Sequence, residues 1–290
     1  MKLATAVQDQ RKIRTVETGA HPSGLVSEEA YLIQWKQGAQ WIFLGVPKAD
    51  RKRQVFEMDI HGEKGENLSY VFLFKMKTPK ILFIQGGWDG HKPEHIVHKF
   101  SSALSGRGCI TETITNLERL ADTDWLKTFD VISPCWTCGK LSKEESAGLR
   151  DAVRAGVGLG GVHGGMGDAF RGDLDYEWMV GGHFVGHPHV GDYTVKVTGP
   201  GDPIMQGLSA EFYYKSEQYY MLMDPGVRVL AEADYTFEER TCTMPVVWTK
   251  HWGKGRVFYS ALGHDPAEFD TYPHVFQMSL NGILWAGNAL

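Results

Sequence analysis

At 290 residues and 42% hydrophobic, the chain is long enough to bury one large α/β core, or one core plus a small appendage, and too apolar to be disordered. A formal net charge of −5 with no basic stripe argues against a nucleic-acid partner, since phosphate binding needs clustered positive surface. Four cysteines are too few for a disulfide scaffold; with no apolar leader in residues 1–14 and no run of ~18 apolar residues, a cytoplasmic chain without a membrane partner is expected.

Residues 1 to 26 are polar and broken by Gly19, Pro22 and Gly24, which reads as an arm. Residues 30–45 give two aromatic and β-branched strands joined near Gly38, a hairpin. Strands at 54–60 and 68–75 flank a polar turn at 61–65, so residues 1–78 form a small antiparallel β extension. It has too little core to stand alone and is expected to pack on the main body or on a second subunit. The pattern changes at Pro79. The buried strand Lys80-Ile81-Leu82-Phe83-Ile84 runs into Gln85-Gly86-Gly87-Trp88-Asp89-Gly90-His91, and a helix follows with Pro93 in its first turn and Ile96, Val97, Phe100 and Leu104 on one face. Strands at 109–114 and 130–133 precede a helix entered at Ser142, with Glu145 completing a capping box, and then the strand at 157–162. This β-α-β alternation predicts that residues 79–290 form an α/β domain with a mostly parallel sheet, helices on both faces and right-handed crossovers. Beyond it, 174–180 reads as a helix, 181–189 as a Gly/Pro-rich loop, and 192–197, 212–216, 227–233, 245–250 and 256–260 as strands. A helix over 274–285 closes the chain.

The stretch Val157-Gly158-Leu159-Gly160-Gly161-Val162-His163-Gly164-Gly165-Met166-Gly167 has the shape of a nucleophile elbow, a strained strand-to-helix turn that lifts one side chain above the sheet edge. Here that side chain is an imidazole, suited to acid, base or metal-ligand work and not to forming an acyl intermediate. Gly156 to Gly161 also fits GxGxxG, but these glycines lie within the strand, and no Walker A sequence exists, so no nucleotide cofactor is expected. His91, His163 and His264 each follow the end of an apolar strand. In a parallel sheet they converge on the carboxyl edge, where ligands bind. His183, His187 and His189 sit in the stretch read as a lid over that edge. A divalent metal, zinc or manganese, on His163, His183 and His264 is one expectation; rings that only cap backbone groups or orient a neighbouring ligand are the other. The catalytic set is His163, His264 and Glu217, the last read at the end of a short strand, where its carboxylate orients an imidazole. Gly87, Trp88, Asp89, His91, Trp136, Gly164, His187 and Asp265 are assigned to the substrate. Twelve per cent aromatic residues, nine of them tryptophan, suit a carbohydrate pocket, although core packing uses most such rings. Cys135-Trp136-Thr137-Cys138 after a strand is the sharpest rival, a dithiol redox motif.

Several of these segments resemble, in the same order, the ThuA-like (trehalose utilisation) family: Ile81 to Gly87, the Gly-Gly-Val-His-Gly-Gly elbow, Gly181-Gly182-His183-Phe184-Val185-Gly186-His187-Pro188, Gly253 to Tyr259, Gly263-His264-Asp265 and Asn281 to Ala286. The resemblance covers about residues 79–288. It implies a branch of the class I glutamine amidotransferase-like fold, a flavodoxin-like three-layer sandwich. It implies no glutaminase activity, because His163 stands where amidotransferases carry cysteine. It further implies a role in sugar catabolism, with His163, His183, His187 and His264 lining the pocket. The expectation is therefore an enzyme acting on a sugar or keto-sugar by hydrolysis, elimination or isomerisation. Its alternative is a non-catalytic sugar-binding or regulatory protein on the same scaffold. Exposed strand edges in the extension lead us to expect a homodimer or larger homo-oligomer.

Overall fold

The structure, a computed structural model, describes residues 78–290 throughout and, before them, the backbone of five strands. The chain divides into two compact units, Met1–Lys77 and Thr78–Leu290. In the first, β1 (Tyr31–Ile33) pairs antiparallel with β2 (Ile42–Leu44). A separate antiparallel sheet orders β3 (Lys48–Asp50), β4 (Arg53–His61) and β5 (Asn67–Phe74) side by side. The arm expected over residues 1 to 26 and the turn expected after His61 lie outside the described residues.

The second unit opens with β6 (Lys80–Gly87), whose Ile81, Leu82, Phe83 and Ile84 are buried. A run apolar on both faces belongs in a sheet covered on both sides. It continues through α1 (Pro93–Gly106), β7 (Ile110–Ile114), α2 (Thr123–Leu126), β8 (Val131–Thr137), α3 (Lys143–Ala155), β9 (Gly158–Val162), α4 (His163–Gly167) and α5 (Leu174–Val180). Then come β10 (Gly182–Val197), β11 (Glu211–Met223), β12 (Arg228–Phe237), β13 (Arg240–Trp252), β14 (Gly255–Ser260), α6 (Glu268–Thr271) and α7 (Pro273–Ala286). In α1 the apolar stripe Ile96, Val97, Phe100 and Leu104 is buried, and it joins α6 and α7 through edge-on contacts of Phe100 with Phe269 and Phe276. The start of α3 is fixed by reciprocal bonds: the Ser142 hydroxyl accepts from the Glu145 amide, and the Glu145 carboxylate accepts from the Ser142 amide. The α7 helix lies against β9, where a Cβ on Gly158 would meet the Ala286 carbonyl at 2.3 Å, and α3 lies against β14. Among the described residues no helix is long and apolar enough to cross a membrane.

The sheet corrects the flavodoxin-like expectation of a mostly parallel core. Its nine strands run in the order β11-β10-β12-β13-β14-β9-β8-β6-β7. Only β14, β9, β8, β6 and β7 are mutually parallel; every pairing from β11 to β14 is antiparallel. The physical reason is connection length. Glu238 and Glu239 alone join β12 to β13, and Gly253 and Lys254 alone join β13 to β14. A parallel crossover needs a dozen residues or more, so these links can only be hairpins. Glu238 (φ 47°) and Glu239 (φ 62°) both take the left-handed conformation that a tight hairpin turn demands. The stretch 181–189, expected to be a loop, is instead largely the first half of β10; its Gly and Pro residues appear as irregular register between Phe184 and Gly186 and between Gly186 and His189.

Candidate metal centre

All five residues of β9 are buried, and the strand passes without a spacer into α4, with Val162 extended and His163 at φ 45°. That conformation is strained for a residue with a side chain. Two bonds hold it: His163 Nδ1–H donates to the Ala261 carbonyl (2.8 Å), and the His163 carbonyl accepts from the Tyr259 hydroxyl (3.1 Å). The elbow is glycine-rich because its neighbours fill the space. A Cβ on Gly164 would lie 2.3 Å from His91 Cε1, and one on Gly167 would lie 2.2 Å from the Tyr259 hydroxyl. The imidazole, 2% exposed, rests against the ring of Tyr219 with centroids 4.0 Å apart.

Three other segments meet this ring. The short 3-10 turn after β6 delivers His91, whose Nδ1 bonds the Thr137 hydroxyl at the end of β8 (2.8 Å). His264 comes from the loop after β14, and Glu217 from the middle of β11, not from the end of a short strand as the sequence suggested. Ring centroids of His91, His163 and His264 lie 4.9 to 5.3 Å apart. One oxygen serves as the hub. Glu217 Oε2 lies 3.2 Å from His163 Nε2, 3.3 Å from His264 Nδ1 and 4.0 Å from His91 Nε2. Glu217 Oε1 faces His187 Nε2 at 3.6 Å. The donor atoms of His91, His163, Glu217 and His264 all lie within 4.8 Å of one another, and this group could hold a metal ion. Three imidazoles with one carboxylate suit zinc, manganese and similar divalent ions.

The protons support that fit. Because a carbonyl only accepts, His163 Nδ1 must carry hydrogen, so a neutral His163 turns the lone pair of Nε2 towards a carboxylate oxygen. His264 Nδ1 is buried beside the same oxygen without forming a hydrogen bond of good geometry. A cation among these atoms would satisfy both nitrogens and the oxygen at once. Burial, followed by the charges of His163 and His264, lowers the His91 imidazole to about 3, so its ring stays neutral and available as a ligand. Burial pushes the Glu217 carboxyl up, but the imidazoles of His163 and His264 together outweigh it and hold the group ionised well below the usual range. Contact with that carboxylate in turn raises His264.

The remaining sequence-predicted residues divide into two groups. His183, expected among the ligands, does not join the cluster: its Nδ1 pairs with Glu177 at 3.2 Å. His189 bonds the Asp192 carbonyl nearby in its own strand. Gly164 is buried under His91, whereas Gly87 is exposed and lies against the Thr137 backbone. Trp88 is 54% exposed and stands edge-on to His91, with Asp89 exposed beside it. Trp136 is half-buried over Gly86 and Gly139, and Asp265 pairs with Lys92 at 2.5 Å. His187 is 39% exposed on the open side of Glu217. Sequence reasoning missed Tyr219, although its position two residues beyond Glu217 on one strand places both side chains on the same face. It also missed Thr137, which sits inside the Cys135–Cys138 stretch read for its thiols, and Ala261.

The family model for trehalose utilisation, ThuA, matches residues 80–286. A ThuA-like protein from Bacteroides uniformis has a similar structure, with a TM-score of 0.59 at 19% identity over 73% of this chain and 94% of that one. A ThuA-like protein from Parabacteroides merdae is similar at a TM-score of 0.58 and 18% identity, over 73% of this chain and 90% of its own. No curated protein matches the sequence.

Proposed function

Starting from the chain's membership of the ThuA, trehalose utilisation, family, we propose that it is a carbohydrate-processing enzyme acting on a sugar or keto-sugar, with zinc or manganese held by His91, His163, Glu217 and His264. The observation that carries this reading is the convergence of three imidazole nitrogens and one carboxylate, from four separate segments, within 4.8 Å. Titratable groups whose surroundings perturb one another this strongly cluster at functional sites. A divalent ion supplies Lewis acidity, polarising a carbonyl and acidifying the adjacent C–H, which serves hydrolysis, elimination or isomerisation alike.

The chain's own residues do the rest. His187, half-exposed beside Glu217 Oε1, is the imidazole best placed to take up or return a proton on the solvent side, because His163 and His91 spend one ring nitrogen each on Ala261 and Thr137. Trp88 offers an exposed indole beside His91, a flat apolar face of the kind that sugar C–H groups pack against.

Metal analysis of the full chain purified without chelators tests this directly. We expect about one equivalent of zinc or manganese, at least ~100-fold weaker binding in His163→Ala, and turnover of a member of a disaccharide and keto-sugar panel that chelation abolishes and metal restores. A chain that binds a sugar equally well with and without metal, and unchanged in His163→Ala, overturns the enzyme reading in favour of a binding protein.

A further inference from the structure

Glu268 begins the four-residue helix α6 and touches none of the four clustered donor residues through their side chains, yet its carboxylate gathers the two segments that deliver Glu217 and His264. Oε1 accepts from the Ser216 hydroxyl (2.7 Å), the residue immediately before Glu217. Oε2 accepts from the Tyr214 hydroxyl (2.6 Å) and from the backbone N–H of His264 itself (3.1 Å). The Tyr214 oxygen then accepts from the Gly263 amide (3.1 Å), so the chain on both sides of the Gly263–His264 peptide is tied to β11.

We infer that Glu268 is a positioning residue for the metal centre: its carboxylate sets the separation at which Glu217 and His264 face each other. An ordinary helix cap bonds amides of its own turn. Here two of the three donors are hydroxyls from a strand more than fifty residues away, 52 and 54 positions earlier in the sequence. Both donors are buried, Tyr214 fully and Ser216 at 7% exposure, so loss of the acceptor leaves hydroxyls without a partner and frees the loop to shift. A carboxylate accepting three bonds is also a rigid tie, because charge-assisted hydrogen bonds are short and strong. On either side of this tie the His264 loop is held at Ala261, whose carbonyl meets His163 Nδ1, and at Asp265, which pairs with Lys92 and accepts from the Ala267 and Glu268 amides; none of these contacts reaches β11. The inference rests on the metal reading of the site.

The test uses the full chain with zinc or cobalt as the probe. Zinc affinity is read by competition with a chromogenic chelator, and cobalt geometry from the visible absorption of the substituted protein. Loss of an outer partner of a metal ligand costs roughly 10–100-fold in affinity, and we expect Glu268→Ala to fall in that range with an altered cobalt spectrum. Glu268→Gln should stay within about threefold of wild type with an unchanged spectrum, since the amide oxygen still accepts from Tyr214 and His264 while its N–H donates to the Ser216 oxygen. A folded Glu268→Ala that binds zinc as wild type does, with the wild-type cobalt spectrum, overturns the inference. Should Glu268→Ala fail to fold, Tyr214→Phe decides: a several-fold loss with a spectral change supports positioning, and no change overturns it. Wild-type protein that takes up neither ion overturns the metal reading first and this inference with it, which separates the two failures.

Discussion

His163 holds its left-handed backbone (φ 45°) through what its ring and carbonyl bond, Ala261 and Tyr259, and not through any preference of histidine for that conformation. Removing the ring therefore exposes the strain, and the replacement residue decides how much of it persists. In metal-free protein, His163→Gly should be more stable than His163→Ala by roughly 1 kcal/mol, because glycine adopts positive φ without a Cβ clash and this exceeds its larger unfolded-state entropy. Parallel urea titrations of the two variants check this; alanine as stable as glycine would mean that the elbow carries no strain. Gly164 makes the same argument in reverse. It stands where a methyl group would enter the His91 ring, so its absence of a side chain is what lets two histidines approach within 4.9 Å.

Elements explain why some of this was legible and some not. The strand read at 80–84, which the structure extends to Gly87, the stripe of α1, the capping box of α3 and the elbow are local patterns, and local patterns survive in sequence. The placement of His91, His163 and His264 at strand ends followed from them. The stretch read as a lid is instead strand because β10 tolerates glycine and proline through irregular register, and His183 stands outside the cluster beside its own carboxylate, Glu177, which no spacing rule announces. Glu217 lies beside His163 but in mid-strand, not at a strand end; β11 runs on to Met223 because the apolar run Tyr219-Tyr220-Met221-Leu222-Met223 keeps pairing with β10, down to Met223 opposite Gly182. The CxxC is decided at this scale too. Cys135 lies inside β8 facing the core, so burial pushes its thiol up to about 12 and leaves almost no thiolate at neutral pH. We expect peptide mapping after native alkylation at pH 8 to find the exposed Cys242 modified and Cys135 intact. Rapid labelling of Cys135, or a reversible Cys135–Cys138 disulfide in the folded protein, would restore the redox reading.

Across the whole molecule, the cluster joins the two halves of the sheet. His91 and His163 follow strands of the parallel half, and Glu217 comes from the antiparallel edge strand β11. A metal bound there cross-links both halves in the folded state alone. At a free metal concentration of about 1,000 times Kd that linkage contributes ~4 kcal/mol. With roughly 2–4 °C per kcal/mol for a domain of this size, chelation should lower the melting temperature by about 10 °C. Acid acts in the same direction on the metal-free protein. The folded His91 titrates near 3 and the unfolded one near 6.5, so below 6.5 the unfolded chain binds the extra proton, and stability falls as pH drops from 6.5 towards 3. Glu217, depressed in the fold, has the same sign at lower pH, whereas His264, raised in the fold, stabilises below its unfolded value and loses that contribution as pH rises through its folded one. Calorimetry of metal-free wild type should therefore give a melting temperature that falls between pH 6.5 and 4, with a shallower slope in His91→Gln. An equal slope in both proteins would mean that His91 is solvated in the folded chain and that the cluster is open to water.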